Sequence, residues 1–390
     1  MHFDLAIVGA GLAGASLAAG LRSSRLKIAV IETRPPAPAT GAGAWDARIY
    51  AVSPINVAFL QSLGVWRRLD HQRIQAVHDM AIFGDRGGRL SFSAYECGLG
   101  ELAWIVESGL LQRELWETIT RQHNVTLFCP GEPAALSWEE SAAELRLAQG
   151  QTLTADLIVA ADGAQSWVRG QAGIEAKISP YEESGVVANF RCALPHRGTA
   201  FQWFREDGIL AWLPLPSQMI SMVWSAPQPL AEELTRLTPD ALCQRVAAAG
   251  NEALGELEPV TPAAAFPLRL LRVDSPVRPR LALIGDAAHT IHPLSGHGIN
   301  LGFQDARVLA ELLADLPAWR RPGELSILRR YARARAEETA LLQWTTHGLN
   351  RLFKPANPLL ATARNLGLNL TNQLPVLRNT LVRYAISGAF

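Results

Sequence analysis

A glycine-rich segment near the N-terminus has the composition of a phosphate-binding turn. Residues 9–14 read GAGLAG, directly after the apolar run 3–8 and at the start of a segment with helical spacing. Gly9 would permit a tight turn, Gly11 would let the backbone approach a pyrophosphate, and Gly14 would let the helix pack closely on the strand. The N–H groups and the dipole of the helix start favour negative charge. The bland alternative is a tight strand-to-helix turn without a ligand.

Glu32 favours the ligand-binding interpretation. It ends a second apolar run, 26–32, and follows Gly14 by 18 residues. A carboxylate at about this offset accepts the ribose hydroxyls of a bound dinucleotide. The N-terminal unit is therefore predicted to hold the ADP half of such a cofactor.

Two further apolar runs end in glycine and aspartate. Asp162 and Gly163 follow the run LIVAA, a pattern that alone is typical of an ordinary strand and turn. Gly285 and Asp286 follow LALI, and a glycine-rich turn then leads into a long helical pattern. The Asp286 carboxylate could accept ribityl or ribose hydroxyls, and the helix start would stabilise an anionic reduced flavin. Three such strand ends in one chain predict a single large dinucleotide, FAD.

The remaining pattern predicts two sheets and a helical tail. Strands are expected at 3–8, 26–32 and 281–284, a hairpin-like pair at 144–160, and helices at 12–24, 53–72, 109–123 and 298–316. From about residue 180 the chain alternates and is rich in aromatic residues, which indicates an inserted antiparallel sheet. The tail 325–390 reads as mostly helical.

Composition excludes several classes of protein. The 390 residues include 36 Lys plus Arg and 36 Asp plus Glu, so zero net charge gives no electrostatic reason to expect nucleic acid. The four cysteines have no metal-like spacing, and no metal site is expected. No apolar stretch is long enough to span a bilayer, and no signal peptide is recognisable, so a cytoplasmic location is expected.

The C-terminal tail differs from the rest of the chain in charge. After Glu338 there is no Asp or Glu, and apolar residues are frequent. The tail carries five basic residues, Arg351, Lys354, Arg364, Arg378 and Arg383. Such a segment suits an anionic lipid surface and predicts peripheral contact with the inner face of the membrane. The alternative is a helical cap with a solvated charged face.

Together the motifs resemble those of a known family. GAGLAG with Glu32, Arg48 in DARIYAVSP, LIVAADGAQSWVR and LIGDAAHTIHPLSGHGINLG resemble the FAD-dependent aromatic hydroxylases of the para-hydroxybenzoate hydroxylase fold. The chain is most similar to the ubiquinone-biosynthesis hydroxylases of the UbiH/UbiF type. The resemblance covers nearly the whole chain.

The resemblance implies a role for each matching residue. Those expected to bind the cofactor are Gly9, Gly11, Gly14, Glu32, Arg48, Gln112, Asp162, Gly163, Gly285, Asp286, Pro293, Gly298, Asn300 and Leu301. Pro293 would lie near the isoalloxazine. His297 stands where the subfamily usually has glutamine, so it either replaces an amide or titrates near neutrality beside the flavin.

The implied fold is α/β, with a Rossmann-type FAD-binding domain, an inserted antiparallel substrate domain and C-terminal helices. The FAD-binding domain is expected at 1–75, 100–178 and 278–325. The substrate domain would comprise 76–99 and 179–277, and the C-terminal helical segment 326–390.

The implied activity is hydroxylation of the aromatic ring of a polyprenylphenol-type intermediate in ubiquinone biosynthesis. NADPH or NADH would reduce FAD, and oxygen would react through a flavin C4a-hydroperoxide, with no protein nucleophile. A ubiquinone-biosynthesis complex is an expected partner. The aromatic residues Phe201, Trp203, Trp212 and Trp224 are candidates for lining the substrate side, although sheet aromatics are more often core.

Three other functions remain open from the sequence. A flavin halogenase would need a WxWxI segment, which the nearest text, AWLPLP, lacks. A flavin-dependent reductase or dehydrogenase of a prenyl lipid would consume nicotinamide without incorporating oxygen. A non-catalytic flavoprotein subunit of a biosynthetic complex would do neither.

Overall fold

The computed structural model describes residues 1–38, 41, 43–292, 298–353, 358–374 and 380. Strands and helices are numbered separately in chain order. Three sheets organise the chain: one carries the nucleotide-type strand ends, one is small, and one forms the substrate side.

The first sheet is mainly parallel, as predicted. Its strands are β1 (His2–Val8), β2 (Ile28–Ile31), β8 (Val125–Phe128), β9 (Pro133–Trp138), β10 (Ala143–Leu147), β11 (Thr152–Ala160), β18 (Val277–Arg278) and β19 (Leu281–Leu283). Five run parallel in the order β8, β2, β1, β11, β19. The antiparallel hairpin β9–β10 adds to β11. Because parallel strands end at one edge, the ends of β1, β11 and β19 lie side by side.

Helices cover both faces of this sheet. They are α1 (Leu12–Gly20), α2 (Pro54–Ser62), α3 (Ser108–Thr120), α4 (Trp167–Gln171), α7 (Gly298–Ala314) and α8 (Leu325–Phe353). On one face of the sheet, a single core is formed with buried residues of α1, α2, α3, α7 and α8. On the other face, α4 packs together with the β9–β10 hairpin. The predicted helix at 53–72 is shorter than expected, since the α-helix ends at Ser62.

A small antiparallel sheet lies between the two large ones. Its strands are β3 (Ile49–Val52), β4 (Gln75–Val77) and β7 (Ala103–Glu107), in the order β3, β7, β4. It brings the segment around Arg48 next to the start of α3.

The substrate sheet has nine strands. They are β5 (Asp79–Phe83), β6 (Arg89–Ser93), β12 (Ala176–Cys192), β13 (Thr199–Arg205), β14 (Gly208–Leu215), β15 (Met219–Pro227), β16 (Leu257–Pro259), β17 (Ala264–Val273) and β20 (His289–Thr290). The order is β20, β17, β12, β15, β14, β13, β5, β6, with β16 on β12. The antiparallel prediction is confirmed except for β13 and β5, which are parallel. The domain boundaries stay a prediction.

Three more helices lie in the described part of the chain. The helices α5 (Gln228–Arg236) and α6 (Pro239–Ala249) cover one face of the substrate sheet, and α9 (Pro358–Gln373) docks on β6. Among the described residues, no helix is both long and apolar enough to cross a membrane.

Candidate active site

The glycine turn after β1 is tight because two backbones meet there. Gly9 has φ +98°, and a Cβ on it would lie 2.4 Å from the carbonyl oxygen of Ala161. A Cβ on Gly14 would lie 2.0 Å from the carbonyl oxygen of Gly9. Around Gly11, by contrast, no atom lies within 4 Å of an added Cβ. The turn therefore leaves open space at the position where a phosphate would approach the start of α1.

Glu32 is bound to this same turn. Its Oε2 accepts a 2.7 Å hydrogen bond from the backbone N–H of Ala10, and Oε1 accepts one from Arg34. The carboxylate thus fixes the turn, and its contact with a ribose stays a prediction.

A cavity of about 910 Å³ lies between the ends of the parallel strands and the substrate sheet. Of the predicted cofactor residues, those that line it are Gly11, Arg48, Gln112, Asp162, Gly163, Gly285, Asp286, Gly298 and Asn300. The ends of β1, β11 and β19 therefore meet at one cavity, together with the segment before β3 and parts of α3 and α7. Pro293 and His297 lie outside the described residues, so their predicted places by the flavin are not tested.

On the cofactor side of the cavity, polar side chains are fixed by hydrogen bonds to the backbone, and a carboxylate oxygen among them remains without a partner. Gln112 donates from Nε2 to the carbonyl oxygen of Ala10. Asp162 accepts the N–H of Val168 at 3.0 Å with Oδ2, while its buried Oδ1 has no hydrogen-bond partner in the described part of the chain. A buried carboxylate oxygen without a partner is costly, and a ligand hydroxyl would satisfy it. The carboxylate acceptors of Asp162 and Asp286 therefore fit the ribose and ribityl hydroxyls of FAD, which donate.

Asp286 projects into the cavity from the turn after β19. The side chain is exposed to the cavity, yet the surrounding protein partly desolvates its carboxyl group and raises the pKa, and the charges of His289 and Arg48 oppose that rise. Gly285, with φ +59°, makes this turn possible.

Asp305 on α7 anchors the Gly285 turn, and sequence analysis missed it. Its Oδ2 accepts the backbone N–H of Gly285 at 2.9 Å and lies 2.7 Å from Nε2 of His289. Its Oδ1 accepts a 2.7 Å bond from Nε of Arg335 on α8. The sequence offers one signal for this role of Asp305. The residue stands four positions after Leu301, on a helix face that is otherwise apolar.

In the first turn of α7, the side chains of Asn300 and Leu301 make contacts within the protein. Asn300 Oδ1 accepts the N–H of Ser53 and the amide of Asn56, both at 2.9 Å, and its own amide donates to Ala51. Leu301 is fully buried. In the described part of this helix start, the backbone N–H groups from Gly298 onward are available to meet a ligand.

The substrate sheet turns its tryptophans away from the cavity. Trp203, Trp212 and Trp224 are almost fully buried in the core under α5 and α6 and do not line the cavity. These three tryptophans therefore take the core position that is more common for sheet aromatics. Phe201 does line the cavity.

The opposite face of this sheet forms an apolar wall. Strand alternation places Gln202 on that face, and the amide is 5% exposed. Its neighbours on the wall are small or aliphatic, namely Ala200, Ala211, Leu213, Val187 and Val223. Small side chains leave the room that a flat ring needs.

Known proteins share this arrangement over the whole chain. The chain is 33% identical to the 3-demethoxyubiquinol 3-hydroxylase of Escherichia coli, with 98% of both chains covered. It is 31% identical to the ubiquinone hydroxylase UbiL of Rhodospirillum rubrum, covering 98% of this chain and 89% of that one. In fold it matches PqsL of Pseudomonas aeruginosa, solved with 2-aminobenzoylacetate, with a TM-score of 0.78 at 22% identity, covering 94% and 100%.

A cofactor cavity shared by a parallel nucleotide-binding sheet and an apolar substrate sheet defines a flavin-dependent oxygenase. The model of the FAD binding domain family matches residues 2–343, and the chain belongs to that family. The protein is an FAD-dependent aromatic monooxygenase, and a reduced nicotinamide nucleotide is its co-substrate.

Proposed function

We propose that this protein hydroxylates the aromatic ring of a polyprenylphenol-type intermediate in ubiquinone biosynthesis, using oxygen and NADPH or NADH. The observation that carries the proposal is the apolar wall of the substrate sheet facing the cofactor side of one cavity. The names of the Escherichia coli and Rhodospirillum rubrum relatives support the same substrate class.

The chain's own residues position the ring and exclude water. FAD, when bound, supplies the electrons and activates the oxygen. The wall of β13, β14 and β15 would receive the ring. Two aliphatic residues would close over it, Leu102 just before β7 and Ile105 on β7. A dry, apolar setting protects a reactive oxygenating species from water.

Labelled oxygen distinguishes the open functions. With FAD, NADPH and a short-chain prenylphenol under ¹⁸O₂, we expect one labelled oxygen atom in the product, measured by mass spectrometry. NADPH oxidation that depends on substrate but gives no labelled product would indicate the reductase. Purified protein that binds FAD but oxidises no NADPH with substrate would indicate the non-catalytic subunit.

We also propose that α9 contacts the inner face of the membrane from the cytoplasm. One face of α9 is occupied, since Asn365, Asn369 and Asn372 accept backbone N–H groups of Gly88, Arg89 and Ser91 at 2.8–2.9 Å. On the outward side, Leu366, Leu370 and Leu374 are about half exposed. Leucines in a row on an exposed helix face suit the headgroup boundary of a bilayer.

The charges around α9 are only partly those expected from the sequence. Arg364 is buried and paired with Asp85, so it stabilises the docking of α9 and is not free for lipid. Arg86, Arg89 and Arg351 are exposed near α9 and its preceding helix. Lys354, Arg378 and Arg383 lie outside the described residues. The exposed arginines favour anionic headgroups.

Exchanging the three outward leucines for glutamine is expected to lower binding to phosphatidylglycerol vesicles at least about tenfold. Flotation of the full-length holoenzyme measures the bound fraction, and phosphatidylcholine vesicles report the electrostatic share. Leu194→Gln, at an equally exposed leucine beyond β12, is the matched control. Equal recovery of the triple variant and the unchanged protein would contradict the proposal. Membership of a ubiquinone-biosynthesis complex stays a prediction.

A further inference from the structure

The segment just before β3 is held by an ion pair between a partly exposed arginine and a buried glutamate, which sequence analysis did not single out. Glu107, 3% exposed, accepts the backbone N–H of Asp46 at 2.7 Å. Arg73 donates to both carboxylate oxygens of Glu107, at 2.6 and 2.8 Å. The Arg73 guanidinium also lies 4.3 Å from the ring centre of Trp45. The pair therefore fixes the main chain at residues 45 and 46.

Asp46 transmits this hold to Arg48. Its Oδ1 accepts the backbone N–H of Arg48 at 2.8 Å, and its Oδ2 accepts that of Gly109 at 3.0 Å. On the other side, the carbonyl oxygen of Arg48 accepts the N–H of Ser108 at 2.9 Å. The backbone of Arg48 is thus held from both sides, at the junction of β3 and the start of α3.

The side chain of Arg48 is left available. Its guanidinium lines the cavity and has no hydrogen bond or ion pair within the described part of the chain. It lies over the ring of Tyr50 at 5.7 Å, and its charge acts on Asp286. A long flexible cation binds an anion well only when its backbone is already in place, because less conformational entropy is then lost on binding.

We propose that Asp46, held by Glu107 and Arg73, is a positioning residue that presents the Arg48 guanidinium to the phosphate-bearing part of the cofactor. Asp46 does not touch the cofactor itself. The substrate sheet reaches the same residue, since the Asn189 amide donates to the Asp46 carbonyl oxygen at 2.9 Å. The proposal depends on FAD binding and not on the proposed substrate.

The direction in which Asp46→Asn changes FAD affinity separates the positioning of Arg48 from a simple charge effect. Asp46→Asn keeps the shape of the side chain but removes its negative charge. One of the two backbone N–H groups, that of Arg48 or that of Gly109, then faces an amide donor. Loss of a carboxylate near an anionic cofactor would, by charge alone, tighten binding. Positioning predicts the reverse, a dissociation constant for FAD raised about tenfold. Titration of the apoprotein with FAD, followed by flavin fluorescence, measures it.

A double-mutant cycle with Arg48→Met tests whether the effect passes through Arg48. If it does, Asp46→Asn weakens FAD binding in the unchanged protein and has no further effect when Arg48 is already methionine. Glu107→Gln should give the same pattern with a smaller change, and it serves if Asp46→Asn fails to fold. Glu114→Gln, on α3 and paired with the exposed Arg68, is the control and should leave FAD affinity unchanged.

Two outcomes would overturn the proposal. One is FAD affinity that is unchanged or higher in both Asp46→Asn and Glu107→Gln. The other is an equal loss of affinity with arginine and with methionine at position 48, which would assign the effect to general damage to the site. Thermal melting of each apoprotein, compared with its FAD affinity, separates lost stability from lost positioning.

Discussion

Replacing Gly11 by alanine is expected to weaken FAD binding about 100-fold or more while leaving the free energy of unfolding of the apoprotein within about 1 kcal/mol. The protein offers room for the methyl group, since no atom lies within 4 Å of an added Cβ, and the backbone conformation, φ −63°, suits any residue. That room is the place where a pyrophosphate would meet the start of α1. The clash therefore exists only with the cofactor bound.

Gly14→Ala is the matched comparison for this prediction. Its Cβ would lie 2.0 Å from the carbonyl oxygen of Gly9 and 2.9 Å from Cβ of Ala161. We therefore expect it to lose both stability and FAD affinity, because the helix can no longer pack on the strand. FAD titration and chemical denaturation of both apoproteins give the two readouts. A Gly11→Ala protein that binds FAD as tightly as the unchanged protein would show that the pyrophosphate lies elsewhere.

Asp305→Asn is expected to lower the free energy of unfolding by about 2–3 kcal/mol, because the buried Arg335 loses one carboxylate partner and keeps the other, Glu338. The same change weakens the hold on Gly285, so FAD affinity should fall as well. Denaturation in urea at neutral pH measures the first effect. A loss below about 1 kcal/mol would contradict the account of this cluster.

Two variants control the Asp305 prediction. Glu311→Gln breaks an exposed pair with Arg307 on the same helix and should cost less than about 1 kcal/mol. Asp305→Asn combined with Arg335→Met and Glu338→Gln removes the arginine charge and both carboxylates paired with it, and should be less destabilising than Asp305→Asn alone.

The stability of this cluster should also depend on pH. Although burial opposes it, the charges of His289 and Arg335 lower the pKa of Asp305 below its ordinary value. A lowered folded-state pKa means that the stabilisation is present above the unfolded pKa of about 4 and is lost as the pH falls through the folded value. Asp305→Asn should therefore flatten the acid limb of the stability profile.

The substrate sheet shows where prediction from the sequence stopped. Alternation along β13 and β14 fixes that Trp203 and Trp212 lie on one face and Gln202 and Ala211 on the other, but not which face meets the cofactor. The structure places the bulky face under α5 and α6, because large aromatic side chains fill the space between layers. A cavity needs the small residues, so the tryptophans lie in the core.

The charges of the C-terminal tail show the same limit of prediction from the sequence. Its lack of acidic residues is plain from the chain, yet Arg364 proves to be neutralised by Asp85, 279 residues away. In our proposal the position of Arg48 likewise depends on two distant residues, Glu107 at the end of β7 and Arg73 just before β4.

What the sequence by itself determined was the set of strand ends that meet at the candidate site. Gly9, Gly11 and Gly14, Asp162 with Gly163, and Gly285 with Asp286 are readable because a turn's conformation is set by residues adjacent in the chain. Only the tertiary structure decided which sheet face forms the substrate wall, which charges are paired, and that Asp305 and Asp46 anchor the site. Those outcomes depend on contacts between residues far apart in the chain, whose free energies local spacing does not encode.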